Sequence, residues 1–165
     1  MKKIVLMNSN KKNGFSLIEM IVVIVILGIL AATVTPKFLN FKADAQTSVL
    51  QTIRASIEGA VERVHSKSIV TGAQNQVSSV VQLAGGTVIV RYGYPSEDDS
   101  IAYWTNLGVI DANSDISINT AAEGGLLFYS NDLGSLSSVN TSCVVVYNQA
   151  NAPDATPTIT LNECD

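Results

Sequence analysis

Very few side chains in this sequence could carry out chemistry. The 165 residues include one histidine, His65, and two cysteines, Cys143 and Cys164. No nucleophile stands at a useful spacing from a base, and no cluster of metal ligands or glycine-rich phosphate loop can be read from the sequence. We therefore predict no catalytic residue, no metal and no cofactor, and we expect a protein that is not an enzyme.

One polar stretch matches part of a calcium-binding loop. Asp111, Asn113 and Asp115 fit the first three ligand positions of an EF-hand. The sixth position, where the loop needs glycine, is Ile116, and the closing acid, Glu123, comes one residue late. The stretch is better explained as a turn rich in Asn and Asp.

The charges are distributed unevenly along the chain. The net charge is −4, from 10 Lys and Arg against 14 Asp and Glu. The first 14 residues hold four lysines and no acid, so the remainder carries a net charge of −8. A general nucleic-acid-binding protein needs a basic surface that displaces counterions from phosphate. We therefore expect no nucleic acid among the partners.

The longest apolar segment follows the basic leader. Residues 20–36 carry no charge, and the 21 residues from 15 to 35 would make about 32 Å of α-helix. A bilayer core is about 30 Å thick, so the segment is predicted to span a membrane, with the lysine-rich end in the cytoplasm. A buried core helix rarely runs this long without a charge. A secretory signal peptide cut after Ala32 would not be followed by continued helical periodicity.

Glu19 is the acid at the start of this segment. A carboxylate costs about 2.5–3.5 kcal/mol at the centre of a membrane and less near an interface. Glu19 could lie at the membrane surface as a helix N-terminal acid. It could instead meet a cationic partner inside the bilayer, and the spacing alone does not separate the two interpretations.

The residues around Glu19 resemble the signature of type IV prepilins. The segment reads, in order, Gly14, Phe15, Ser16, Leu17, Ile18 and Glu19, followed by a run of Val, Ile and Leu. The resemblance implies that a prepilin peptidase removes residues 1–14 by cutting between Gly14 and Phe15. It also implies that the new amine of Phe15 is methylated and that the apolar helix is kept.

The same resemblance gives Glu19 a partner. It implies that the carboxylate pairs with the N-terminal amine of a neighbouring copy and so sets the register of assembly. This attraction would be much stronger in a low-dielectric helix bundle than in water. The implied partners are membrane lipid before assembly, other copies of the chain, the prepilin peptidase and an inner-membrane pilus assembly platform.

Apolar residues continue at helical spacing beyond the membrane segment. The stripe runs through Phe38, Phe41, Ala45, Val49, Ile53, Ile57, Ala60, Val61 and Val64. We predict that the helix ends between Ser66 and Gly72, and that Pro36, which lacks a backbone donor, kinks it.

The pattern, taken together with the resemblance to type IV prepilins, implies three segments. They are a cleaved basic leader (1–14), the transmembrane and assembly half of the stalk helix (15–36) and a head that includes the amphipathic half of the helix (37–165).

Beyond residue 72 the sequence predicts short strands separated by glycine-containing turns. The candidate strands cover 87–92, 115–118, 126–129, 143–147 and 158–161. Residues 100–108 are predicted to form a short helix with Ile101, Trp104 and Leu107 facing inward. The sum is an α+β fold of the pilin kind, in which the long N-terminal helix packs on one antiparallel sheet.

Cys143 and Cys164 are predicted to form a disulfide. The topology above puts the head outside the cytoplasm, where disulfides form. The bridge would close a loop of about 20 residues, which is worth about 3 kcal/mol in the chain-entropy model. Two free thiols or a metal pair remain alternatives, although no third ligand accompanies the two cysteines.

A narrower likeness links the head to the mannose-sensitive haemagglutinin (MSHA) branch of type IVa pilins. The residues that carry it are Pro36-Lys37-Phe38, Ser66-Lys67-Ser68, Gly93-Tyr94-Pro95-Ser96 and the stretch 143–147 with Cys164. The resemblance implies a major pilin, held in the inner membrane with its head in the periplasm and then assembled into an extracellular fibre for attachment and biofilm formation. A minor pilin or a type II secretion pseudopilin would share residues 15–65. A membrane-anchored periplasmic binding domain or enzyme is the remaining interpretation.

Overall fold

The computed structural model describes residues 14–98 and 100–165, and within these it describes residues 35–40 by their backbone alone. Of the basic leader predicted for residues 1–14, all but Gly14 lies outside the described residues. The side chain of Phe38, which belongs to the predicted apolar stripe, also lies outside them.

The first element, α1, is a single 55-residue helix, Leu17–Thr71. It ends in a Schellman motif, because Gly72 has a φ of 73° and its N–H bonds to the carbonyl oxygen of Ile69 at 3.2 Å. The next N–H bonds to the carbonyl oxygen of Ser68 at 2.8 Å. Glycine adopts this left-handed conformation without a steric penalty. The predicted end of the helix is therefore confirmed.

The chain divides after Leu39 into two units. The first contains the apolar part of α1, and the second is the head, Asn40–Asp165. The helix assignment continues through Pro36. The kink at that residue stays a prediction, as do the segment boundaries drawn from the sequence.

The head covers one side of α1. The apolar helix residues buried beneath it are Leu50, Ile53, Ile57, Ala60, Val61 and Val64, and the polar residue Ser68 is buried with them. Phe41 and Val49, which continue the apolar stripe in the sequence, are 71% and 53% exposed. They lie elsewhere on the helix circumference from Leu50, so the side that the head covers does not include them.

The head contains two antiparallel sheets rather than the single sheet that the sequence predicts. The first consists of β1 (Ser79–Leu83), β2 (Gly86–Arg91) and β3 (Tyr94–Pro95), and the second of β4 (Ile116–Thr120), β5 (Leu126–Ser130), β6 (Val144–Asn148) and β7 (Thr158–Asn162). The five predicted strands are found to within one or two residues, and β1 and β3 are additional. The first sheet stops at β3 because Pro95 has no N–H with which to continue the ladder.

The short helix between the sheets, α2, is Ile101–Asn106, within the predicted range 100–108. Ser100 caps it, with its side chain accepting from the N–H of Tyr103 at 3.3 Å. The expectation that Ile101 faces inward is wrong, since this residue is 42% exposed. Tyr103 takes the inward position with Trp104, because a helix of under two turns buries only one narrow face.

Trp104 lies at the centre of the head. Its ring meets Phe128 edge to face at 4.9 Å and Tyr147 at 5.3 Å between centroids. Its Nε1–H donates to the carbonyl oxygen of Asp98 at 2.6 Å. The hydroxyl of Tyr147 donates to the carbonyl oxygen of Pro95, also at 2.6 Å. Burial raises the pKa of Tyr147 well above its usual value. These contacts tie the end of the first sheet to the second sheet.

Cys143 and Cys164 form a disulfide, as the sequence predicts. The N–H of Cys143 donates to the carbonyl oxygen of Glu163 at 3.0 Å, beside the bridge. The N–H of Cys164 donates to Oγ1 of Thr47 on α1, also at 3.0 Å. The bridge therefore holds the C-terminus against both β6 and the long helix.

Replacing Cys143 with serine should destabilise the head. The variant loses the cross-link that restricts the unfolded chain, at a cost of about 2–5 kcal/mol in the free energy of unfolding. Urea titration of the full chain in detergent would measure this change. A reductant should bring the wild-type chain to the stability of the variant and leave the variant itself unchanged. Equal stabilities of the oxidised wild type and the variant would contradict the prediction.

Candidate processing and assembly site

The residues that the sequence singles out for processing lie together just before the long helix. Residues 14–16 are outside any helix or strand, and α1 begins at Leu17. The side chain of Phe15 is 78% exposed. The peptide bond between Gly14 and Phe15 therefore lies in an irregular, accessible segment that a peptidase could bind in an extended form.

A capping box fixes the start of α1. The N–H of Ser16 donates to Oε2 of Glu19 at 2.9 Å, and the N–H of Ile18 donates to Oγ of Ser16 at 3.3 Å. Two backbone donors that no helical carbonyl can satisfy are paired in this way. The signal is visible in the sequence as Ser-x-x-Glu before an apolar run, although the predictions made from the sequence give Ser16 no role.

Within its own chain, Glu19 is thus both a capping side chain and an acid at the positive end of the helix dipole. This position matches the first of the two interpretations that the sequence leaves open. It is also compatible with the second, because a carboxylate has lone pairs for more than one donor. Cleavage before Phe15 would create an amine one residue away from the N–H that Glu19 already accepts.

The structure itself does not require glycine at position 14. A Cβ built on Gly14 meets nothing within 4 Å, and the residue is not among those with a left-handed φ. Gly125 gives the opposite result, because its φ is 92° and a Cβ would clash with Oδ1 of Asn148. A demand for glycine at position 14 would therefore have to come from a partner that binds this segment.

The helix that follows the capping box presents an apolar surface with no covering. Its large apolar side chains are between 43% and 78% exposed, and with Phe15 they are Leu17, Ile18, Met20, Ile21, Val22, Val23, Ile24, Val25, Ile26, Leu27, Ile29, Leu30 and Val34. Leu17–Val34 is long and apolar enough to cross a membrane. A surface of this size needs either lipid or other apolar helices around it.

In the head, the ring of His65 packs against an aromatic neighbour. Its ring stacks on that of Tyr94 with centroids 4.2 Å apart and planes within 3°. Burial raises the pKa of Tyr94, and the carboxylate of Glu62 adds to the effect. Within residues 14–98 and 100–165, no group of three or more potential metal ligands comes together.

Comparison with known proteins gives two matches. A family model described as the prokaryotic N-terminal methylation motif matches residues 9–35. A fimbrial protein, EcpC of Eikenella corrodens, is 32% identical over 78 residues, which is 47% of this chain and 51% of that protein. The chain thus spans about half the length of this curated relative. No solved structure matches the chain significantly.

The matched motif covers the residues that surround the capping box and most of the exposed apolar helix. The resemblance read from Gly14, Phe15 and Glu19 is therefore supported independently of the residues of the head. The long apolar helix followed by antiparallel sheets agrees with the predicted α+β pilin architecture. The motif, the similarity to a fimbrial protein and this order of elements agree with the architecture of a type IV pilin.

Proposed function

We propose that this chain is the major structural subunit of a type IV pilus, which polymerises through its N-terminal helix and is not an enzyme. The observation that carries the proposal is the exposed apolar surface of Leu17–Val34, directly after the matched methylation motif. Lipid covers this surface before assembly, and the helices of neighbouring copies cover it in the fibre. Burial of apolar area supplies the driving force within the fibre.

Processing precedes assembly in this proposal. A prepilin peptidase cuts between Gly14 and Phe15 and methylates the amine of Phe15, and an inner-membrane assembly platform then extracts the mature subunit. The exposed, irregular segment at residues 14–16 supports cleavage at this bond. The N-terminus faces the cytoplasm and the head faces the periplasm until the subunit joins the extracellular fibre, as the leader lysines and the disulfide favour.

The fibre would serve attachment and biofilm formation, and the resemblance of the head favours the MSHA branch. The turn at Gly93 belongs to that resemblance. Its φ is 82°, and a Cβ built on this residue would lie 2.9 Å from Cα of Gln74, so glycine is needed there. The type IV pilin class is carried by residues 14–19 and the apolar run after them, whereas this branch rests on Pro36-Lys37-Phe38 and on residues of the head.

Fibres sheared from the cell surface test the proposed function. We expect intact-mass analysis of the fibre to give a chain that begins at Phe15 with a methylated amine and retains the Cys143–Cys164 disulfide. We also expect this chain to be the most abundant protein of the fibre. Trace amounts would indicate a minor pilin or a pseudopilin. A chain that is absent from surface fibres and stays in the membrane would favour an anchored periplasmic domain.

A further inference from the structure

The head part of α1 carries opposite charges on two sides. Glu58 and Glu62 stand four residues apart and therefore share one side, while Arg63 and Lys67 share another. Lys67 is five positions after Glu62, which places the two about 140° apart around a helix that turns about 100° per residue, although both border one open cavity with Val70. All four side chains belong to one rigid element, so their relative positions are fixed.

The acidic side borders a groove that the head does not fill. The groove has a volume of about 620 Å³ and is lined by Ala55, Glu58, Gly59, Val61, Glu62, Tyr94, Thr156, Pro157 and Ile159. Glutamates are the charged members of this lining. A smaller cavity of about 280 Å³ shares Tyr94 and adds the acid Asp154. The groove is thus an apolar floor with an acidic border.

Glu62 is the acid of the groove that is open to a partner. In the described part of the chain, Glu58 forms an ion pair with Arg54 at 2.9 Å, whereas Glu62 forms none. The side chain of Glu62 is exposed, and Tyr94 lines the same groove. A cationic group entering here would meet a negative charge beside an aromatic ring, an arrangement that favours cations.

The basic side of the helix has the complementary chemistry. Lys67 is exposed, and Val70, one turn further on, is 81% exposed. Arg63 beside them is anchored, because its Nη2 donates to the carbonyl oxygen of Leu107 at 2.5 Å. We call Lys67 and Val70 the basic edge. It places a cation next to an exposed apolar side chain on a helix that is packed into the head.

We propose that the groove beside Glu62 receives the edge formed by Lys67 and Val70 of the next copy of this chain. The contact joins unlike charges and puts an apolar side chain over Tyr94 and Ile159. Because the groove and the edge are different surfaces of one copy, the contact is heterologous and can repeat from copy to copy. A heterologous contact generates an open helical assembly when its rotation does not close a ring, which is what the proposed fibre requires. The inference rests on the proposed function and names a head contact within it.

Charge reversal at the two ends of the contact tests this inference. Glu62→Lys and Lys67→Glu are each expressed alone, and the two single variants are also co-expressed from separate gene copies. The cells lack the wild-type chain, and every variant is made as the full-length protein. Each single variant sets like charges against each other at every contact. We expect each to lower the yield of sheared fibre about ten-fold, which corresponds to about 1.4 kcal/mol per contact.

Co-expression is the decisive arm. A fibre that alternates the two variants restores an unlike pair at every contact, so its yield should return to within about two-fold of wild type. Asp111→Lys, an equal charge change at an exposed residue of the turn after α2, is the matched control and should not change the yield.

The results separate the inference from the proposed function. Wild-type cells without fibres would overturn the proposed function itself. Fibres at wild-type yield from both single variants, or no recovery on co-expression, would overturn the groove contact and assign the groove to another occupant, such as a basic peptide. The amount of disulfide-bonded subunit in the membrane fraction shows whether each variant folds.

Discussion

Replacing Gly14 with valine should leave α1 and the head intact and abolish maturation of the chain. A Cβ at position 14 meets nothing within 4 Å, and the backbone there does not need a left-handed φ. The substitution therefore costs the folded precursor almost nothing. It adds bulk beside the bond that the proposed peptidase would have to bind, so we expect the effect to fall on that partner.

The measurement is the mass of the chain in the membrane fraction. The variant should accumulate as a precursor that retains residues 1–14, with at least about a 100-fold loss of the chain beginning at Phe15, the effect of about 3 kcal/mol on the reaction barrier. It should contain the same disulfide and show the same urea stability as the wild type. No fibre should form, because the leader and its lysines stay on the apolar helix.

Two other glycines provide controls. Gly28→Val places the same side chain on a helical residue whose Cβ position is also open, and it should be cleaved normally. Gly125→Ala should destabilise the head, since φ is 92° and the new Cβ would clash with Oδ1 of Asn148. It should still be cleaved. Normal cleavage of the Gly14 variant would show that the processing site is not this bond.

The parts of the fold that the sequence predicts are those set by local rules. The helical period of the apolar residues gives α1, and Gly72 gives its end because few other residues adopt a left-handed φ without cost. The apolar runs that become β5 and β6 are recognised as strands, since both faces of these central strands are buried. The two cysteines give the disulfide once the compartment is inferred.

The parts that the sequence does not predict depend on contacts between distant residues. β3 is two residues long and includes Pro95, so it exists only because Val90 and Arg91 of β2 lie opposite it. The sequence of β1 does not alternate clearly between apolar and polar residues, because Val80 and Val81 are adjacent. Val80 is exposed and Val81 is buried, and the strand forms through its pairing with β2. Without that pairing, neither segment has a strand pattern of its own.

Burial along α1 shows the same limit of local rules. Ile57 and Phe41 both belong to the apolar stripe of the sequence, yet Ile57 is fully buried and Phe41 is 71% exposed. Steps of three and four residues let the stripe turn gradually around the helix, so Phe41 lies about 160° from Ile57 and outside the covered side. The exposed residues of the stripe are those available for contacts with other copies in the proposed fibre.

For the candidate site, the sequence predicts the residues but not the hydrogen bonds among them. Gly14, Phe15 and Glu19 are found at the accessible start of α1. The N–H of Ser16 donates a hydrogen bond to Glu19, and this bond gives Glu19 a capping role in addition to its charge. Glu19 therefore has a capping function, seen in one chain, and a proposed pairing function, which needs two chains.

Glu19→Gln separates these two functions. Glutamine also serves in a capping box, because its side-chain oxygen accepts the N–H of Ser16 as the carboxylate does. The variant keeps the start of α1 and loses only the negative charge. If Glu19 pairs with the amine of a neighbouring copy, the substitution leaves a cation in the apolar bundle without its counter-charge, at a cost of about 3–5 kcal/mol per subunit.

The expected result is a membrane-bound subunit that does not assemble. Because the cost recurs at every subunit, surface fibre should fall at least about 100-fold, the effect of about 3 kcal/mol at each addition. Inserted protein with an intact disulfide should remain in the inner membrane. Comparing the sheared and membrane fractions of the Glu19→Gln strain with those of the wild type measures both quantities.

Ser16→Ala is the matched counterpart, because it removes the other half of the capping box and keeps the charge. Loss of a helix cap costs about 0.5–2 kcal/mol and affects the separate subunit as well as the fibre. We therefore expect Ser16→Ala to assemble at close to the wild-type yield while Glu19→Gln fails. Wild-type yield from Glu19→Gln with failure of Ser16→Ala would assign Glu19 to capping alone. The register of the fibre would then have to come from contacts between the heads.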